Sequence, residues 1–390
     1  MYVAAQREIN FPIPSYCRKI QVGAAYSPRI EGFLYDDSTL DNISSKNPVY
    51  GELTALYAMW KGCDADIQGI YHYRRYISGT SSGKPVVSTK AEDIYSASIK
   101  EQAIVAALED SDLILSSPAT DPDWLEMNIA EYYSFLTTIQ EMAALYNVIK
   151  EHYPDYFPAL RKVLSSNRFH SCNMFIARRS FVNDYCTWLF GVFRRLEETI
   201  PHKTRTFAFT RTFAFMGEFL LDVYVYTHGL KYVCFDKLFV NDIARQESRL
   251  KSWGKKVLHK IPALWRMFWA DRSVIHRANE TLKGAETSEE LRRRMLALGA
   301  SRSGDFLVLK IRIRSHIPFT SRKGVLMMIL LPLDEEQDFS RSLSEVVSRE
   351  TSRIGSGKCK LICRVILSSK ASDSVRQSAE ALGAGIAGYF

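Results

Sequence analysis

The stretch Ala65–Ser78, ADIQGIYHYRRYIS, runs from aliphatic residues into His72, Tyr73, Arg74, Arg75 and Tyr76. Its apolar start predicts a buried strand. Its end gathers two guanidiniums, an imidazole and two phenols at the strand's tip. In an open α/β sheet, ligands bind beyond the carboxyl ends of the strands. Arginine offers planar forks of donors that match phosphate oxygens, so two of them can hold a diphosphate. The competing expectation is a surface hairpin with solvated arginines. Adjacent strand residues point to opposite faces, so one of the two arginines is expected to face a ligand.

Other polar groups fall at places where chemistry is expected. The run Asp36–Asn47, DDSTLDNISSKN, carries Asp36, Asp37, Asp41, Asn42, Ser44 and Asn47. Such a loop can bind ribose hydroxyls, a sugar or a metal; ordinary turn chemistry explains the same composition. His170 and Asn173 stand just before an apolar run, which fits a cleft and equally a capped core. Glu218 lies in a largely apolar stretch, where a carboxyl with a raised pKa can act as a base. Glu52 and Glu131 are similar candidates. His72, His170 and a carboxylate would suit a metal by residue type, but nothing in their spacing demands one.

Positioning these groups requires alternating elements. MYVAA at the start and Lys19–Tyr26 read as strands. Asn47 followed by Pro48 reads as an N-cap and first helical residue. The helix after it places Leu53, Leu56, Tyr57 and Trp60 on one face and ends at Gly62. Ala65–Ile77 is then a strand, Ile99–Leu108 a helix, Leu113–Leu115 a strand, and 128–155 mostly helix. Met174–Ala177 is a strand, and a helix carrying Tyr185, Leu189, Val192 and Leu196 follows. FMGEFLLDVYVYTHG is a helix ending at Gly229, and KYVCFDKLFV a strand. This order predicts an α/β fold. Beyond residue 245 the segment 249–277 holds eight Lys/Arg against one Asp, with Trp253, Trp265 and Trp269. It suits a helix on an anionic membrane surface, or a linker helix packing its indoles. Thr287 and Glu290 form a capping-box pattern. From Phe306 a second α/β pattern begins.

The bulk numbers agree with a globular chain. It has 390 residues, 46% of them hydrophobic, and a net charge of +8. A basic balance suits an anionic partner without choosing one. Nucleic acid is not expected, because no recognised binding motif accompanies the charge. Seven scattered cysteines predict reduced thiols in the cytosol rather than a disulfide framework or a zinc site. No signal peptide and no apolar run of membrane-spanning length are read, so a soluble or peripheral protein is expected. There is no dinucleotide fingerprint, P-loop, zincin motif or nucleophile elbow.

Three stretches together resemble one bacterial family, domain of unknown function 4422: DNISSKNPVYGELTALYAMWKG with IQGIYHYRRYI, HSCNMFIARRSFVNDYCTWLFGVFRRLE, and FAFMGEFLLDVYV. The resemblance covers roughly residues 1–240. It implies a GT-A-like mixed sheet flanked by helices and a nucleotide-sugar donor, with UDP as the expected carrier. The implied acceptor is a growing capsule, lipopolysaccharide, exopolysaccharide or lipid-linked glycan.

The shared positions are Asp41, Asn42, Ser44, Lys46, Asn47, Glu52, Thr54, Tyr57, Trp60, His72, Tyr73, Arg74, Arg75, Tyr76, His170, Asn173, Met174 and Glu218. Two departures bear on activity: Gln6 where the family usually has His, and Phe219 where Arg tends to follow the Glu. Residues 324–383 are similar to the opening of family-two glycosyltransferases, but the expected acidic pair falls at Ser368 and Ser369.

The expected domains are 1–245, a GT-A-like transferase; 246–300, a basic linker; and 301–390, a partial α/β segment. Glu218, Asp41 and His72 are the expected catalytic groups. Arg74, Arg75, Tyr73, Asn42, Ser44, Asn47, His170, Asn173, Tyr57 and Glu52 are the expected donor-binding residues. Guanidinium charge is expected to replace a metal at the diphosphate, with manganese or magnesium as the alternative. The expected location is the cytoplasm, at the inner face of the plasma membrane if 249–277 binds lipid. The alternative reading is an inactive nucleotide- or glycan-binding scaffold.

Overall fold

The computed structural model describes residues 1–83, 86–120, 128–137, 139–200, 211–240, 278, 281–282, 285, 287–313, 325–333, 338–354, 360–368, 370–382 and 385–389. The basic segment 249–277, with its membrane expectation, lies outside the described residues.

Strands are β1 (Tyr2–Ala5), β2 (Arg18–Gln21), β3 (Leu34–Tyr35), β4 (Ile67–His72), β5 (Arg75–Ile77), β6 (Val87–Thr89), β7 (Leu113–Ser116), β8 (Ala119–Thr120), β9 (Arg168–Phe169), β10 (Phe175–Arg178), β11 (Tyr232–Phe235) and β12 (Lys237–Val240). Helices interleaved with them are α1 (Asn47–Tyr50), α2 (Leu53–Gly62), α3 (Ile94–Ala97), α4 (Glu101–Asp110), α5 (Ile129–Leu136), α6 (Ile139–His152), α7 (Phe157–Ser165), α8 (Arg179–Thr199) and α9 (Thr212–His228). The chain divides into two compact units: 1–120 with 148–163 and 168–245, and 121–147 with 164–167 and 246–390.

The first unit is built on a mixed sheet of order β11-β7-β10-β4-β1-β2-β3, from which β5, β12 and β6 branch. β10 runs antiparallel to β4 and β7, while β1, β2, β4, β7 and β11 are parallel. Their runs YVAA and LILS are buried on both faces, as expected of inner strands covered by helices. One consequence of this topology matters for function. Gln6, Gly23, His72, Ser117 and Asp236 all follow or close parallel strands at one edge, and Asn173 enters antiparallel β10 at that same edge.

The second unit carries a sheet of order β13 (Ser301–Ser303), β14 (Phe306–Ile313), β15 (Val325–Pro332), β16 (Lys360–Leu367) and β17 (Gly385–Tyr389). Helices α10 (Ser288–Ala297), α11 (Phe339–Ile354) and α12 (Asp373–Ala381) accompany it. Thr287 caps α10 by accepting from Glu290 N, as its sequence predicts. Glu131 belongs to this unit. Its carboxylate is buried against the Arg364 guanidinium, at 2.5 Å from Nε and 3.1 Å from Nη2. That pairing corrects its candidacy as a base: the charge is neutralised by a buried partner.

Three local expectations are also corrected. β2 ends at Gln21 rather than continuing to Tyr26. Asn47 is not an N-cap: α1 follows a 3-10 turn, Ser44–Lys46, and the Asn47 amide turns inward. The strand at residues 67–77 is a hairpin, with His72 paired to Arg75 across a Tyr73–Arg74 turn.

Candidate functional site

The site grows from Glu52, which is buried at the start of α2. Its Oε1 accepts from Asn173 Nδ2 at 2.9 Å and its Oε2 pairs with the Arg211 guanidinium. His72 Nε2 lies 3.7 Å from the same carboxylate, too long for a hydrogen bond. Four segments distant in sequence therefore meet at one carboxylate.

The backbone holds this meeting point under strain. Among the described residues, four non-glycine residues have positive φ, and three of them are Cys172 (78°), Asn173 (51°) and Arg211 (78°). Each such residue costs on the order of 1–3 kcal/mol and persists where the surroundings over-determine it. Here the Asn173 amide is fixed by Glu52 and by Ala214 O at 2.9 Å, and Arg211 N donates to Pro48 O at 2.7 Å. Gly217 sits against the Asn173 amide; a Cβ there would lie 2.7 Å from Oδ1.

Gly51 separates α1 from α2 at φ 53°, and a Cβ would meet Ala214 Cβ and Arg211 Nε at 3.0 Å. Gly51→Ala is therefore expected to destabilise the first unit by about 1–3 kcal/mol, through left-handed strain and crowding. Urea denaturation checks this.

Charge surrounds the buried His72. Burial pushes its pKa down to about 4; Arg75 and Arg211 add to the depression, and Glu52 opposes it. The ring is thus neutral at physiological pH, and its Nε2 is buried without a hydrogen-bond partner. Burial alone would raise the Glu52 carboxyl. The Arg211 guanidinium and the Asn173 amide oppose that, and the carboxyl stays below the usual range.

Arg75 also acts on Cys172, as do Glu218 and Lys237, so these side chains share one electrostatic neighbourhood. Lys237 is buried and donates to Ser171 Oγ at 2.6 Å. Arg74 and Arg75 are half-buried, and both lie over the Phe239 ring, at 4.6 and 5.6 Å from its centroid. Arg7 covers Tyr73 at 5.3 Å.

The remaining predicted residues separate into two groups. Asn47 borders the site: its Nδ2 donates to Gly51 O at 2.7 Å and Thr54 Oγ1 at 3.2 Å, and its Oδ1 accepts from Gln6 Nε2 at 3.0 Å. Ser44 serves the loop after β2. Its hydroxyl donates to buried Asp36 and accepts from Ala25 N, while Asp36 accepts from Gly23 N and Ala24 N. Asn42 closes a local turn, donating to Thr39 O at 2.8 Å.

Asp41 does not join the Glu52 cluster. It accepts from Tyr57 Oη at 2.6 Å and pairs with Lys61 at 3.1 Å, and these partners lower its pKa. His170 is not free to bind a donor through Nδ1, which is paired to Asp222 Oδ1 at 2.5 Å. Its Nε2 lies 3.6 Å from Cys234 Sγ. Burial disfavours charge on His170, but the bonds to Asp222 and Cys234 and their charges prevail and raise its pKa to about 9.

Sequence reasoning missed Arg211, Lys237 and Asp222. Only Asp222 left a signal: it stands one helical turn after Glu218, and both face the 170–173 segment through their action on His170 and Cys172.

No group of three or more His, Cys, Asp or Glu among the described residues is placed to hold a metal ion. The donor set does not fit a divalent cation either. Glu52 is engaged by Arg211 and Asn173, and the groups around it are cationic.

Residues 1–229 match the family described as Domain of unknown function (DUF4422). The chain belongs to this family. Among solved structures, it is similar to that described as WbbM bifunctional glycosyltransferase, apo, with 26% identity and a TM-score of 0.56. The match covers 62% of this chain and 45% of that one. A comparison with curated proteins gives no match. The DUF4422 chain thus has a glycosyltransferase-like α/β fold, a central mixed sheet flanked by helices, as its sequence predicts. No helix among the described residues is long and apolar enough to cross a membrane.

Proposed function

We propose that the first unit transfers a glycosyl residue from a nucleotide-sugar donor, with UDP as carrier, to a growing surface polysaccharide or lipid-linked glycan. The observation that carries this is the cluster of cationic side chains at the carboxyl edge of the sheet. Arg75, Arg211 and Lys237 act on one neighbourhood, around a neutral buried His72. Arg74 lies half-buried beside Arg75 on Phe239. The likeness to a glycosyltransferase at 26% identity supports the same reading.

In such a reaction the bond between the sugar's anomeric carbon and the diphosphate breaks, and negative charge grows on the leaving phosphate. Fixed cations in a partly dry site stabilise that charge more in the transition state than in the bound donor. Arg75 and Arg74 are assigned this role. His72, neutral at working pH, donates or relays a proton rather than adding charge. Glu218, electrostatically linked to Cys172 in the same neighbourhood, is assigned as the base for the acceptor hydroxyl if configuration inverts. Asp41 is less suited, since Tyr57 and Lys61 hold its carboxylate.

The test is thermal-shift and turnover measurement with UDP and a panel of UDP-sugars. Arg75→Ala is expected to weaken UDP binding about 10–100-fold, as loss of a charge-assisted contact does. Arg74→Ala is expected to do the same or less. Unchanged binding and turnover in both variants ends the proposal. Activity lost with chelator and restored by manganese transfers the diphosphate role to a metal.

A further inference from the structure

A cavity of about 1190 Å³ opens in the first unit at the opposite edge of the sheet from His72. It is bounded by the end of α4, the starts of β7 and β11, the end of β10, the face of α8 from Ser180 to Arg194 and the end of α9. None of the residues assigned above to transfer lines it. Its floor is aromatic. Tyr156 stacks on Trp188 with ring centroids 4.6 Å apart and planes at 17°. Tyr224 lies 5.4 Å from Trp188 and 4.4 Å from His228, and Tyr153 completes the wall.

Polar groups surround these rings at fixed places. Tyr156 Oη and His228 Nε2 are 2.9 Å apart. Asp184 is exposed and lies close enough to Tyr156 and Tyr224 to act on both phenols. Trp188 Nε1 is buried without a hydrogen-bond partner. That nitrogen is closed to a ligand, so the indole offers only its face, and Tyr156 Oη, His228 and Asp184 supply the polar contacts.

Charge selects the class of ligand. The lining carries four carboxylates, Glu109, Asp110, Asp112 and Asp184, against three permanent cations, Arg178, Arg194 and Lys231. Such a balance does not attract phosphate. Aromatic faces beside carboxylates and guanidiniums instead suit a molecule with apolar C–H faces and a rim of hydroxyls. A pyranose ring is that molecule.

We propose that this cavity binds a neutral hexopyranosyl segment of a glycan, remote from the transfer site. Its purpose, holding a growing acceptor chain near the enzyme between transfers, rests on the transferase reading; the binding itself does not.

The experiment uses the full chain and saturation-transfer NMR with maltotetraose, β-1,4-galactotetraose and α-1,6-mannotetraose. At least one is expected to bind saturably in the millimolar range or tighter. Tyr156→Ala and Asp184→Ala, at half-buried and exposed positions, are each expected to weaken that binding about tenfold, the cost of a ring contact or a hydrogen-bonded charge. Melting temperatures confirm that both variants fold. Arg75→Ala is expected to leave glycan binding intact while weakening UDP. Binding of none of the three glycans, binding unchanged in both cavity variants, or binding lost with Arg75→Ala overturns the proposal. Glycan binding without UDP binding or turnover removes the transferase reading and leaves this site standing.

Discussion

Replacing Glu52 by alanine is expected to reduce transfer by at least about 100-fold while the chain still folds. The Glu52 carboxylate fixes the Asn173 amide at 2.9 Å and pairs with Arg211. Without it, Asn173 keeps one partner, Ala214 O, and the left-handed backbone at Cys172 and Asn173 loses a restraint. Breaking a fully buried ion pair costs about 3–5 kcal/mol, because a stranded charge remains. Here the Arg211 side chain is 50% exposed and rehydrates, so the expected loss of stability is smaller, about 1–2 kcal/mol. Activity suffers more, since a displacement of about 1 Å at a reacting centre costs on the order of 100-fold.

Glu52→Gln separates the two effects. It keeps the acceptor for Asn173 and removes only the charge. Its turnover is expected to fall between wild type and Glu52→Ala. Urea denaturation and single-turnover kinetics measure the two quantities. Full activity in Glu52→Ala shows that the cluster is structural and that transfer happens elsewhere.

How much of this was legible in the chain follows from the range of the interactions. The strand that ends at His72 could be read, because an aliphatic run followed by HYRRY is a local pattern. The turn that separates His72 from Arg75 could not: the hairpin is held by β12, where Phe239 pairs with Arg75, more than 160 residues away in sequence. Arg211 has no local signature. It lies between the second and third of the stretches that carry the family pattern, outside all three, and only the folded chain brings it to Glu52.

Asn47 shows a different failure. Its sequence context, Asn before Pro, satisfies the rule for an N-cap, yet the amide is taken by Gly51 and Thr54. Tertiary packing overrode a correct local rule. Glu131 followed its local rule, forming a capping box with Asn128, while its charge was matched by Arg364 over 200 residues later. Charge balance between distant segments is what sequence periodicity carries least.

Asp222→Asn is expected to reverse the pH dependence that His170 contributes to stability. His170 has a folded pKa of about 9, raised from 6.5. The folded state therefore binds more protons than the unfolded state between those values, so this contribution is complete below pH 6.5 and is lost as pH rises through about 9. A shift of this size corresponds to on the order of 3 kcal/mol. With asparagine the opposing charge is gone and burial dominates. The His170 pKa then falls below 6.5, and the histidine's contribution is lost as pH falls instead.

The difference in unfolding free energy between wild type and Asp222→Asn is thus expected to be larger at pH 6 than at pH 9.5, shrinking as pH rises between them. Taking the difference cancels every titration the two chains share. A pH-independent difference means that Asp222 holds the His170 backbone through its bond to His170 N at 2.9 Å, and that the imidazole carries no charge there. A gap that shrinks with pH places a fixed positive charge beside Cys234, at the end of β11, on the same edge of the sheet as Lys237 and Arg75. Asp222 neutralises that charge, so the pair steadies the 170–173 segment rather than adding to the field assigned to the donor phosphates.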